Sequence, residues 1–296
     1  MDALLAEKNH DNIRFAVHGL QDLPAISPMA SKLLNVIGDD NITIHQLAEI
    51  IRQDASLGAR IIGLANSAYF GQCEPITSVE DAIFKALGLR LTQNMALGIV
   101  LSGPFNSGLQ CAAFDRNSFW LKAVLTASLA QGFCHLLEDK NLIDADTAYL
   151  AGLLNEFGLM PLVYLFPEQM DTLFARRSNG EHLHDILRKE LGTDQHEVGA
   201  YLAMKWKVPA DVIDVIAHFS EQDYEGENKL LVQLIRFCSQ WVTQYMENES
   251  WDSLPQNTDV LLECSGLERE QVLKLFKQQH EKSTALESMA KALAEN

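Results

Sequence analysis

The sequence predicts an all-α protein. Helix caps and stops recur along the chain, apolar residues return every three or four positions, and no stretch keeps the alternation of a half-buried strand.

Ser27-Pro28 pairs an N-cap with a first-turn proline, and Met29, Leu33, Leu34 and Ile37 follow at helical spacing up to Gly38. Thr43 opens a capping box closed by Gln46, ahead of the apolar Leu47, Ile50 and Ile51. Asp54 is placed to cap a helix through Leu57, Ile61, Ile62, Leu64 and Ala65, and Ser78-Val79-Glu80-Asp81 opens another that stops at Gly88. Asn117 or Ser118 is expected to cap a longer helix through Trp120, Val124, Ala127 and Leu129 to about Leu137. Between them, Ser102, Gly103, Pro104 and Gly108 within Asn94 to Phe114 read as a junction without a long flexible linker. A helix from Asp144 to Phe157 is expected to end at Gly158, and others begin near Pro167, Glu181, Asp194 and Pro209. Lys229 to Met246 is long and amphipathic, with Leu230, Leu231, Leu234, Ile235, Cys238 and Trp241 on or near one stripe. A polar connection from Glu247 to Asn257 leads to a last helical region expected to fray from Glu281.

At 296 residues, 47% apolar and 21% charged, the chain has the composition of a globular protein with about two domains or lobes. Forty acidic against 23 basic residues leave a formal charge of -17, which repels phosphate backbones and disfavours a nucleic-acid partner. The five cysteines, Cys73, Cys111, Cys134, Cys238 and Cys264, are scattered without a C-x-x-C pair and read as free thiols of a reducing cytoplasm. The first residues show no basic segment followed by an apolar one, and Met160 to Phe166 is too short to cross a bilayer, so no membrane partner is expected.

Catalytic motifs are missing from the sequence. It has no G-x-S-x-G elbow, no P-loop and no G-x-G-x-x-G. His182 and His184, two apart, point to different sides of a helix, and His10, His18, His45, His135 and His280 form no constellation. Glu221 to Glu227 reads as solvated loop charge. An enzyme is not indicated.

An ordered set of segments carries a family resemblance: Leu23-Pro24-Ala25, Ile50 to Asp54, Leu64-Ala65-Asn66-Ser67-Ala68-Tyr69-Phe70-Gly71, Pro75 to Ser78 and Ala82 to Leu89. It continues through Trp120, Ala151 to Gly158, His196-Glu197-Val198-Gly199, Trp206, Pro209 and His218. Over about Leu23 to Ser220 the chain resembles the HDOD family, the HD-related output domain of bacterial signalling proteins. The resemblance implies a two-lobed helical fold: residues 1–110 as an N-terminal lobe, 111–248 as an HD-like lobe and 249–296 as a C-terminal helical extension. It also implies regulatory output instead of catalysis.

An active HD site takes an early His, a His-Asp pair and a late Asp to hold a divalent ion. The resemblance places these at Lys122, Asn155, Glu156 and Ser239, so only Glu156 is a good ligand and Lys122 opposes a cation. No metal and no other cofactor is expected. The plain reading is that Asn155 is a polar helix-end residue and Glu156 a solvated charge; within the family, a former metal pocket closed by polar contacts, such as a Lys122 to Glu156 ion pair, is favoured. His196 and His218 match positions lining the HD-like lobe and read first as hydrogen-bonded packing residues, second as remnants of a metal site. In the Asn66 to Gly71 turn, Asn66 and Ser67 suit local backbone bonding, while Tyr69 and Phe70 either cover the lobe junction, the favoured reading, or face a partner. Three functions follow: a signalling protein that contacts other signalling proteins or senses a small ligand between its lobes; a divergent metal-dependent phosphohydrolase of nucleotides or cyclic dinucleotides; and a nucleic-acid-associated regulator, disfavoured by charge.

Overall fold

The computed structural model describes residues 25–37, 39, 41–106, 110–139, 142–177, 183–248 and 258–294. Leu23-Pro24, Gly38, Gly108, Glu181, His10, His18, His182 and the 249–257 connection lie outside them. Helices make up 75% of the structure, with no strand among the described residues.

The N-terminal lobe is built from α1 (Pro28–Leu34), α2 (Ile44–Arg52), α3 (Ala55–Ala65) and α4 (Val79–Asp81), each started by the expected cap. Ser27 Oγ accepts from Ala30 N at 3.0 Å, Thr43 and Gln46 bond reciprocally, and Asp54 and Ser78 each accept from the backbone three residues on. Such bonds satisfy the orphan N–H groups of the first turn. Past α4 the chain widens into a π turn, Ala82–Leu87, before Gly88 closes it at φ 75, a positive angle that glycine adopts without strain.

The helix α5 (Leu89–Asn106) crosses between the lobes where a junction was expected. It packs on α1, α2 and α3 at one end and on the HD-like lobe at the other, with Pro104 in its last turn, where only the few residues up to Asn106 follow the lost N–H.

At the centre of the second lobe stands α6 (Arg116–Leu136), with α7 (Ala145–Leu154) pressed along it. A Cβ on Gly152 would lie 2.7 Å from Ala127 Cα, so glycine permits this approach. The cap of α6 is Asp115, not Asn117 or Ser118: its carboxylate accepts from Asn117 N at 2.9 Å and Ser118 Oγ at 2.6 Å, so the two expected caps are the donors. The helix expected to reach Phe157 stops at Leu154, and Asn155 to Gly158 form a turn into α8 (Leu159–Leu165). Gly158 is not a helix stop. Its φ is -63, and a Cβ there would collide with Gln195 O, so its role is close packing.

There follow α9 (Pro167–Arg177), α10 (Leu183–Leu191), α11 (Gln195–Trp206), α12 (Ala210–His218) and α13 (Lys229–Asn248). The last three helices are α14 (Thr258–Ser265), α15 (Arg269–Glu281) and α16 (Ser283–Ala294). The expected fraying from Glu281 does not occur: α16 packs on α6 and reaches α3 and the Ala68–Phe70 turn, burying Leu286, Met289, Ala290 and Leu293. Arg60 donates to the Leu293 carbonyl, a cation where the helix dipole is negative. The segment read as an extension therefore straps the two lobes together.

Among the described residues one stretch, Ala145–Leu165, is long and apolar enough to cross a membrane, and 83% of it is buried within the fold. It forms the core under α6.

Candidate functional site

Lys122 on α6 and Glu156 on the turn after α7 face each other, Nζ 2.7 Å from Oε1, with side chains 18% and 19% exposed. The hollow over the pair, bounded by Phe119, Ala123, Leu153 and Asn155, is too narrow for a water molecule. Asn155 is buried; its Nδ2 donates to Gly152 O at 2.5 Å, and its Oδ1 has no hydrogen-bond partner. Glu156 is therefore a paired charge and not the solvated one of the plain reading. Ser239 is buried on α13 and is not among the residues of this hollow.

These residues do not fit the divalent ion of HD enzymes. The Lys122 ammonium is paired to Glu156, the one good carboxylate of the set, and no group of three His, Cys, Asp or Glu suited to a metal occurs among the described residues.

His196 packs behind this turn from the first turn of α11. Asp194 caps that helix, accepting from His196 N at 2.7 Å and Glu197 N at 3.0 Å, with Arg188 and His184 also against its carboxylate. Burial alone would raise the Asp194 carboxyl, but the Glu197 N–H and the His196 and Arg188 charges hold it below the usual range. The His196 ring stacks on Phe219 with centroids 4.5 Å apart, and its Nδ1 has no hydrogen-bond partner. Burial pushes its pKa down to about 4, against the pull of Glu156 and Asp194. His218 is separate: it stacks on Tyr224 at 4.3 Å, and its Nδ1 lies 3.0 Å from Glu221 Oε1, close enough to pair but not aligned for a hydrogen bond. Glu221 is itself more than half exposed, and its stretch to Glu227 is the solvated loop charge expected of it.

The Asn66 to Gly71 turn is held from within. Asn66 Nδ2 donates to Ile62 O and Ile76 O, its Oδ1 accepts from Ile76 N at 2.8 Å, and Gly71 takes φ 55. Ser67 Oγ is buried without a hydrogen-bond partner. Tyr69 and Phe70 meet edge to face at 4.8 Å and are half-buried. Tyr69 faces Tyr149 of α7, whose hydroxyl donates to Met95 Sδ and is raised well above its ordinary pKa, first by burial and then by Tyr69. Both rings pack against the core, and Tyr69 reaches the second lobe at Tyr149.

A feature not visible in the sequence is a groove of about 370 Å³ between the lobes. Its polar wall carries Arg90, Asp144 and Asp146, its apolar wall Ile37, Leu150, Pro209 and Val212. Gln93 Nε2 donates to Val36 O at 2.6 Å, and Asn94 Nδ2 donates to Asp146 O at 3.1 Å, which locks both buried amides in place. The only local sign was Arg90, Gln93 and Asn94 at helical spacing.

A two-lobed helical architecture, without strands among the described residues, is that of the class of HD-related helical domains. The family model of the HDOD domain matches residues 23–222, and the chain belongs to the HDOD family. An uncharacterized protein of Treponema pallidum (strain Nichols) is 26% identical over 276 residues, 92% of this chain and 51% of that protein, so the chain spans about half the length of this relative. In fold it is similar to a proposed signal transduction protein from Marinobacter aquaeolei VT8 (TM-score 0.82, 21% identity, 98% of this chain and 66% of that one). It is similar also to an HDOD domain protein of unknown function from Geobacter sulfurreducens (TM-score 0.77, 18% identity, 97% and 98% covered).

Proposed function

We propose that this protein is a non-catalytic regulator in signal transduction, acting through contacts with other signalling proteins or by sensing a small ligand between its lobes. The observation that carries the reading is the Lys122–Glu156 pair, formed by residues at the positions that the family resemblance assigns to the ligands of a water-activating metal. A Lys ammonium there neutralises the one usable carboxylate and repels a divalent ion, so the lobe keeps the HD architecture and lacks its means of activating water. The charge of -17 argues against a nucleic-acid partner, and the buried thiols Cys111, Cys134 and Cys238 suit a reducing cytoplasm.

The test is elemental analysis of purified protein together with phosphodiester hydrolysis assays. We expect no stoichiometric Mn, Fe, Mg or Zn and no hydrolysis. About one or two metals per chain, lost together with activity in Glu156→Ala, would establish the phosphohydrolase reading instead.

A further inference from the structure

We propose that the groove between the lobes binds a small zwitterion with an apolar side chain, an aliphatic α-amino acid or close analogue. The proposal rests on the small-ligand arm of the function above and names that ligand's chemistry.

The size is right for such a molecule, since pockets for small ligands start at about 300 Å³, and the groove measures about 370 Å³. Charge then selects among ligand classes. Arg90 Nε and Asp146 Oδ2 face each other at 3.8 Å, within ion-pair range but beyond hydrogen-bond length. The other Asp146 oxygen is met by Gln131 Nε2 at 3.4 Å, again a long contact. Burial and the neighbouring Asp144 raise the Asp146 carboxyl, as expected of a carboxylate that a nearby ammonium would stabilise.

A bare cation seated on Asp146 would meet the Arg90 guanidinium across the same short gap. A bare anion seated on Arg90 would meet Asp144 and Asp146. A molecule with both charges one carbon apart satisfies each wall residue at once: its ammonium replaces the long contacts of Asp146, and its carboxylate offers the planar fork that guanidinium recognises. The α-carbon substituent then lies over Ile37 and Pro209, the apolar lining residues that keep exposed surface, above a floor of buried Leu150 and Val212, which is why an aliphatic side chain is assigned.

The groove is also formed before binding. Gln93 and Asn94, both buried, are held by backbone carbonyls, and Asn94 ties α5 to the first turn of α7, so little order is lost when a ligand arrives. Because Arg90 belongs to α5 and Asp146 to the HD-like lobe, a bound zwitterion bridges elements of both lobes, a suitable arrangement for reading a ligand out as a change in lobe contact.

The experiment is calorimetric titration and thermal shift of the full chain with leucine, isoleucine, valine and methionine. N-acetylleucine, which lacks the ammonium, and leucinamide, which lacks the carboxylate, serve as controls. At least one of the four amino acids is expected to bind and raise the melting temperature, with both controls at least tenfold weaker. Asp146→Asn and Arg90→Gln should each weaken binding tenfold or more, as should Ile37→Phe, at a half-exposed lining position, which narrows the groove without changing a charge. Variants are compared only where their helical signal matches wild type, and Ile37→Phe keeps the test decisive if a charge variant misfolds. No binding by any of the four at millimolar concentration, equal binding by leucinamide, or wild-type affinity in the folded variants overturns the proposal. Any of these leaves the non-catalytic reading standing, because that one is decided by metal content and hydrolysis.

Discussion

Lys122 Nζ lies 2.7 Å from Glu156 Oε1, joining the central helix of the HD-like lobe to the Asn155–Gly158 turn. The pair is mostly shielded from water, so removing one partner leaves a poorly solvated charge. Glu156→Gln is expected to cost about 1–3 kcal/mol. The double variant Lys122→Met/Glu156→Leu, which removes both charges, should recover most of that loss. Urea titrations of the three proteins decide it, and a single variant as stable as wild type would show that the pair contributes nothing.

His196 makes stability pH-dependent. Its pKa is lowered from 6.5 to about 4 by burial, so between these values the unfolded chain binds more protons than the folded one. Its contribution is therefore complete above about pH 6.5, falls as the pH drops toward 4, and does not change further below that. The full effect is on the order of 3 kcal/mol. Stability of His196→Gln measured from pH 7 to 4.5 should fall less steeply than wild type; parallel curves would refute the assignment.

Gly158 touches α11 through backbone atoms that cannot swing aside: a methyl carbon added to it would overlap Gln195 O and stand 2.5 Å from Gly199 N. Gly158→Ala should thus separate the Asn155–Gly158 turn from α11 and destabilise by about 3 kcal/mol or more, a large effect for one methyl group. Gly103, with open space around it, is the control, and Gly103→Ala should change stability by less than about 1 kcal/mol.

The strap formed by α16 predicts a single cooperative unit. Leu293 is fully buried, and Leu293→Ala should cost about 2–4 kcal/mol. Its effect should appear in the melting of the whole protein, because α16 contacts α3 of the first lobe and α6 of the second. Two well-separated transitions in scanning calorimetry of the wild type would contradict this.

Much of the local structure was legible. Ser27, Thr43, Asp54, Ser78, Asp144 and Asp194 each cap the helix expected of them, because a cap bond closes within two or three residues and so leaves its mark in the adjacent sequence. Gly158 misled for the same reason: a glycine that ends a helix and a glycine that admits a neighbouring backbone have the same local neighbours, and only the distant partner, Gln195, tells them apart. Leu89–Asn106 was obscured by Gly103 and Pro104, whose helix-breaking tendency is overridden by packing against both lobes.

The sequence by itself determined the all-α class, most of the helix starts and the HDOD family, since these depend on residue identity and on interactions within a turn or two. Only the tertiary structure decided that Lys122 and Glu156 meet, that His196 is buried near them, that α16 spans the lobes, and that Arg90 and Asp146 share a groove. Those relationships join residues dozens to hundreds of positions apart. Their geometry is set by how buried helix faces pack, which no short window of sequence contains.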